Sequence, residues 1–366
     1  MKKFFYPLLL LTAMAFTFTS CSDDDDDDFA VCPTDSPFAC GTFVLNEGNM
    51  SDGNGTLTFI GNDGVVLDSA YYKVNGTFLG NASEDLWIED DMLYVISQNG
   101  AINGGDGMLV VADAKTLKKQ VAFNEELAEL GSQWPSHIAV DDNLAYIRAN
   151  NGISLFNLST HELKFIEGTE GAAKNRMVEI NDEIYAIAGD KILVMNGGVL
   201  TRSIQMEGKI SGILETDDDN LWVACTTTPA QICLVNAKQG TVMDKHEITE
   251  SGVSGGWGST PSISAKGDYI YFSNATTKIY RHIFSENKTE LMADVADYIE
   301  NAKVVYNNLG VHPQTGEVYF NTIKGYGTDY LTNDISVFNF SKQQAPVANY
   351  KNHTAFPAGF FFTQSF

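Results

Sequence analysis

Apolar and polar residues alternate along most of the chain in short runs, each bounded by Gly, Asn or Asp. This period of two is the signature of half-buried strands, and the turn residues between the runs mark antiparallel reversals. Two stretches show the recurring unit most plainly: HIAVDDNLAYIRANNGISLFNLSTHELKFIEG (137–168) and MVEINDEIYAIAGDKILVMNGGVLTRSIQMEG (177–208). Each reads as strand, Asp/Asn turn, strand carrying an aromatic, Gly or Asn turn, strand, turn, strand. The skeleton returns in DLWIEDDMLYVISQNG, GILETDDDNLWVACTT, SISAKGDYIYFSNATTKIYRHI and GVHPQTGEVYFNTIKG.

The aromatic of the second strand sets a register: Phe43, Tyr94, Tyr146, Tyr185, Trp222, Tyr271 and Tyr319, spaced by 51, 52, 39, 37, 49 and 48 residues. Those intervals fit one four-stranded propeller blade with loops of varying length. The pattern therefore predicts an all-β, seven-bladed β-propeller over residues 41–366. Phe43 has no first strand before it, and the terminal FPAGFFFTQSF (356–366) has no second strand after it. Pairing that segment with 42–47 closes the ring and removes an exposed sheet edge. FNEELAEL (123–130) and ADVADYIENAK (293–303) read as either short helical insertions or irregular loop.

The N-terminus departs from this pattern. Lys2 and Lys3 precede the apolar run FFYPLLLLTAMAF, a secretory signal too short to span a bilayer. Residues 1–20 are thus expected to be removed. Phe18-Thr19-Ser20-Cys21 resembles a bacterial lipobox, with Phe18 in place of the usual Leu, which implies lipidation of Cys21; the alternative is an ordinary signal followed by a chance cysteine. Asp23 to Asp28 cannot bury apolar surface and repel one another, so residues 21–40 read as an extended acidic tether. The run is also similar to the acidic patch that sends lipoproteins of Bacteroidetes-type bacteria to the outer face of the outer membrane.

Charge narrows the partners. Loss of Lys2 and Lys3 takes the net charge from −24 to −26, which argues against nucleic acid, because no basic stripe is left to replace phosphate counterions. After Cys21 the cysteines are Cys32, Cys40, Cys225 and Cys233, an even number that suits an oxidising compartment. Their spacings favour Cys32–Cys40 and Cys225–Cys233 disulfides, the latter across the two strands of LWVACTTTPAQICLV. No metal site is expected: CxxC is absent and the six histidines are scattered.

No catalytic motif is legible. The chain lacks GxSxG, HExxH, a phosphate-binding GxxxxGK[ST] and an EF-hand loop. GGDG (104–107) and GNDG (61–64) read as turns, and His137 as a packed histidine rather than a base. Propeller geometry does sort the loops. Links between second and third strands, and from fourth strand to the next blade, share one face around the channel. That face displays Asn46, Glu47, Asn49, Gln98, Asn99, Trp134, Asn150, Asn151, Asn175, Arg176, Thr226 to Thr228, Trp257, Ser259, Asn274, Tyr326 and Tyr330. Asn is the default turn residue. Trp134 and Trp257, on loops beside Gly or Pro, either offer flat contact area with an N–H donor or tuck between blades.

At FVLNEGNMSDGNGTLTFI (43–60) the run Asn46-Glu47-Gly48-Asn49, followed by Asn54-Gly55, resembles the opening of a Bacteroidetes family of lipoprotein seven-bladed propellers related to YVTN/quinoprotein-like propellers. The family includes surface lipoproteins that bind cobalamin over a TonB-dependent outer-membrane transporter and pass it vitamin B12. The resemblance implies a non-enzymatic, lipid-anchored protein at the cell exterior, with a corrinoid as transported ligand and no catalytic cofactor. It marks Asn46, Glu47 and Asn49 as family-characteristic. The loop inventory suits a corrinoid, with its flat ring and amide rim, and suits a glycan equally; a propeller lyase or hydrolase is the third reading.

Overall fold

The computed structural model describes residues 35–363 apart from positions 52 and 308. The signal segment, Cys21, the aspartate run and Cys32 lie outside the described residues. Seven four-stranded antiparallel sheets form the blades of a β-propeller. Blade 1 joins the C-terminal strand β28 (Pro357–Phe362) to β1 (Gly41–Asn46), β2 (Thr56–Gly61) and β3 (Val66–Leu67). Blades 2 to 7 each run in chain order, with inner strands β4 (Asn81–Glu89), β8 (His137–Asp141), β12 (Val178–Ile180), β16 (Ile210–Glu215), β20 (Ile263–Lys266) and β24 (Leu309–Val311).

The ring closes as the sequence implies. Phe43 pairs with Phe361, Val44 with Phe360 and Leu45 with Gly359. Thr363 reinforces the seam, its Oγ1 accepting from the Gly41 amide at 2.9 Å and donating to the Ala39 carbonyl at 2.9 Å.

Alternation inside each blade explains the aromatic register. Among the described residues, seven apolar clusters fill the gaps between neighbouring blades. In blade 3, Ala145 and Ile147 face blade 2 while Tyr146 faces blade 4. Every register aromatic packs towards the next blade: Phe43 against Leu93 and Val95, Tyr185 against Leu221 and Val223, Trp222 against Ile270 and Phe272. Each such burial is worth roughly 1.5–3 kcal/mol, so the recurring position records a packing rule of the whole ring.

Two local expectations need amendment. The insertions hold only a single α-turn, Ala128–Gly131, and a 3₁₀ turn, Val295–Asp297, while Ala70–Asn75 forms a helix the pattern does not announce. Cys40 is disulfide-bonded, but Cys225 and Cys233 are buried free thiols. The hairpin pairs Cys225 with Gln231 and Val223 with Cys233. The two cysteines are therefore diagonal neighbours rather than the directly opposed pair a disulfide favours.

Candidate functional site

The connections from second to third strands and from one blade to the next gather on what we call the upper face; the turns between first and second strands and between third and fourth strands form the lower face. The chain enters at the lower face, where the Phe38 amide donates to the Lys115 carbonyl at 3.0 Å.

Beneath those loops the channel is closed by a polar floor. Strand β4 is bulged twice, between Asn81 and Ser83 and between Ser83 and Asp85. A bulge re-aims side chains, and here it puts the adjacent residues Glu84 and Asp85 into ion pairs with one loop: Glu84 with Lys174 at 2.7 Å, Asp85 with Arg176 at 3.3 Å. Arg176 also donates to the carbonyls of Phe360 (3.3 Å) and Ala358 (3.4 Å) and lies 4.0 Å over the Phe361 ring. It reaches them because position 359 is glycine: a Cβ there would sit 2.0 Å from an Arg176 nitrogen, and its φ of +143° disfavours other residues. Burial pushes Asp85 up to about 6 against the opposing pull of Arg176.

A second chain of hydrogen bonds crosses the axis. Arg148 donates to Ser136 Oγ at 3.0 Å. His137 contacts Ser136 Oγ through Nδ1 and the Ser259 carbonyl through Nε2, both at 3.0 Å; since a carbonyl only accepts, Nε2 carries the proton. Burial, with Lys174, Arg148 and Arg176 nearby, holds His137 neutral. It is a packed histidine with both nitrogens satisfied. The Asn307 Oδ1 accepts from the amides of Ser259 (2.6 Å) and Thr260 (3.0 Å), and its Nδ2 donates to the Pro357 carbonyl at 3.1 Å. Tyr306 Oη donates to Glu47 Oε1 at 2.7 Å. Burial first, then Glu84, pushes Glu47 up to about 8, so it is protonated near neutral pH. Burial likewise raises Glu84, against the opposing pull of Lys174 and Arg148, so the floor gathers the cations Arg148, Lys174 and Arg176 with the acidic residues Glu47, Glu84 and Asp85.

Around this floor stands an apolar rim. Trp257 is 91% exposed, Tyr326 55% and Trp134 53%; Trp134 also sits at φ +53°, a conformation unfavourable for a bulky residue. Tyr326 and Tyr330 stack on Phe356, with centroids at 6.4 and 4.3 Å, and Tyr306 meets its edge at 6.1 Å.

The other expected residues divide by role. Glu47 belongs to the floor. Asn46 is fully buried; it bonds Thr58 at 3.2 Å and accepts from the Ala355 amide at 3.0 Å, fastening the seam. Asn49 accepts from the Ser51 amide at 2.9 Å and Asn274 from the Ser254 amide at 3.0 Å, so both shape loops. Gly48, at φ +79° with the Asn54 carbonyl 2.5 Å from an ideal Cβ, explains the glycine of that first motif. Asn99 donates to Asn81 at 2.7 Å and Asn175 to the carbonyls of Ser211 and Thr260. Thr226 is exposed and donates to the Lys209 carbonyl at 3.2 Å; Gln98 is buried. Sequence reasoning passed over Glu84, Asp85, Arg148, Lys174, Tyr306 and Phe356. The one available signal was Ser83-Glu84-Asp85, three consecutive polar residues opening an inner strand.

A family profile described as "Domain of unknown function (DUF5074)" matches residues 40–363. No curated protein matches the sequence. Among solved structures, the chain is similar to a quinonprotein alcohol dehydrogenase-like protein from Bacteroides thetaiotaomicron, with 15% identity, 89% of this chain and 79% of that one covered, and a TM-score of 0.66. It is also similar to a computationally designed protein (12% identity, 87% and 92% covered, TM-score 0.51) and to the dihydro-heme d1 dehydrogenase NirN (10%, 92% and 79%, 0.52). At these identities the likeness concerns the fold, and the neighbours are of mixed kind.

Proposed function

The chain belongs to the DUF5074 family, and from that premise we propose that it is a binding protein whose upper face captures a large flat ligand, a corrinoid. The observation that supports this reading is the pairing of exposed Trp134, Trp257 and Tyr326 with a hydrogen-bonding floor that includes Lys174 and Tyr306. Aromatic faces suit the corrin ring, and Tyr306 and Lys174 suit its amides and its single nucleotide-loop phosphate. Anchoring through Cys21 and delivery to a TonB-dependent outer-membrane transporter complete the proposal.

Equilibrium dialysis of the chain from residue 21 against cyanocobalamin, with a panel of oligosaccharides in parallel, tests the reading. Retention of the corrinoid at micromolar protein, with no oligosaccharide retained, is the expected outcome. Retention of an oligosaccharide alone transfers the face to glycans. For the anchor, Cys21→Ser is expected to release soluble protein, whereas Ala at positions 23 to 28 keeps it membrane-bound but hidden from external protease.

A further inference from the structure

Below the polar floor the channel is open. A cavity of about 560 Å³ runs from Arg176 to the lower face, walled by inner-strand residues that include Leu86, Ile88, Val178, Ile263 and Phe360. Its volume falls in the range of small-molecule sites, roughly 300–1,000 Å³. The mouth carries Glu89, Asp90, Glu179 and Glu215. Among the described residues no lysine or arginine forms an ion pair with any of these four. Trp87, also in the wall, donates from Nε1 to Glu89 Oε2 at 2.9 Å. No three acidic, His or Cys side chains among the described residues converge as a metal-ligand set. The mouth therefore suits a diffuse organic charge better than a point ion.

We propose that the lower channel is a second binding site, distinct from the upper face, for an amphiphilic organic cation. Its apolar body enters between the inner strands and its ammonium group stays at the carboxylate rim. Charge complementarity fixes the orientation: the closed end holds the Arg176 guanidinium, which repels a buried cation, whereas the mouth focuses negative potential in a low-dielectric setting. The carboxylates show the cost of their present arrangement, for partial burial together with Glu179, Asp219 and Asp217 raises Glu215 to about 7. Trp87 adds an aromatic surface near the charge.

The test is titration of the chain from residue 21 with 4-phenylbutylammonium, set against 4-phenylbutyrate and 4-phenylbutanol. Saturable binding of the ammonium compound is expected, at least tenfold tighter than the alcohol, with no binding of the carboxylate. Glu179→Gln/Glu215→Gln, at solvent-reached positions that tolerate the change, is expected to weaken it at least fivefold, while a Glu125→Gln/Glu129→Gln variant, exposed and away from the mouth, and bound cyanocobalamin leave it within twofold. Equal binding of cation and carboxylate overturns the proposal. So does undiminished affinity in the Glu179/Glu215 variant, or an equal loss in the Glu125/Glu129 variant, which would assign binding to the general acidic field.

Discussion

The two ends of the central channel are built from the same inner strands, yet they differ in how their charges are handled. At the upper end Glu84 and Asp85 meet Lys174 and Arg176, every partner comes from a loop, and the floor is closed. At the lower end Glu89, Glu179 and Glu215 face one another without cations and the channel stays open. Removing a charge should therefore have opposite consequences at the two ends. Above, an uncompensated buried partner is left behind; below, like-charge repulsion is relieved.

The largest expected effect follows from that contrast. Arg176→Ala leaves Asp85 buried without its cation and unfastens the carbonyls of Ala358 and Phe360, so a loss of about 3–5 kcal/mol is expected in denaturant unfolding. Glu215→Gln, measured the same way, is expected to be neutral or slightly stabilising. A similar loss at both positions would break the comparison.

Next come the rim aromatics. Trp134→Ala and Trp257→Ala are each expected to weaken corrinoid binding by about 2 kcal/mol, close to thirtyfold, with unfolding midpoints nearly unchanged. Exposure makes this separation of affinity from stability possible.

The floor also has a pH signature. The folded protein raises Glu47 to about 8 and Asp85 to about 6, so it binds more protons than the unfolded chain between about pH 4 and 8. The contribution of these groups to stability is fully present at the acid end and is lost as pH rises. Glu47→Gln keeps an acceptor for Tyr306 and is expected to exceed the parent by about 1–2 kcal/mol at pH 9, with the two proteins converging near pH 4. Equal pH profiles would show that Glu47 is ionised in the native state.

The smallest effect serves as a control. Asp217 lies in the turn before Leu221 on the lower face, and Asp217→Ala is expected to stay within about 0.5 kcal/mol in stability and to leave corrinoid affinity unchanged.

Legibility in the sequence follows the same division. The blade count and the ring closure were readable because Phe43, Tyr94 and their five counterparts answer to one repeated packing rule between blades. The rim residues Trp134, Trp257 and Tyr326 were readable because large aromatics are conspicuous in turn-rich loops. The floor was not. Glu84 and Asp85 meet their partners only because β4 is bulged twice, Lys174 reaches Glu84 from a loop 90 residues away in sequence, and Tyr306 and Asn307 join the floor through Glu47 and Ser259, which are far from them in the chain. Arg176 and Asn46 lie where the loop sorting put them, but their side chains serve the ring seam. The Cys225–Cys233 pairing failed for a related reason, since a shift of one pair in hairpin register separates a diagonal contact from an opposed one.

Calorimetric titration with cyanocobalamin tests most directly the proposed corrinoid site among the exposed aromatics of the upper face. The chain from residue 21 should be compared with a Trp134→Ala/Trp257→Ala/Tyr326→Ala variant of equal unfolding midpoint. Saturable binding by the parent, with one ligand per chain and affinity lowered at least a hundredfold in the variant, is the expected result. Absence of heat at micromolar protein, or equal affinity in the two proteins, would contradict it.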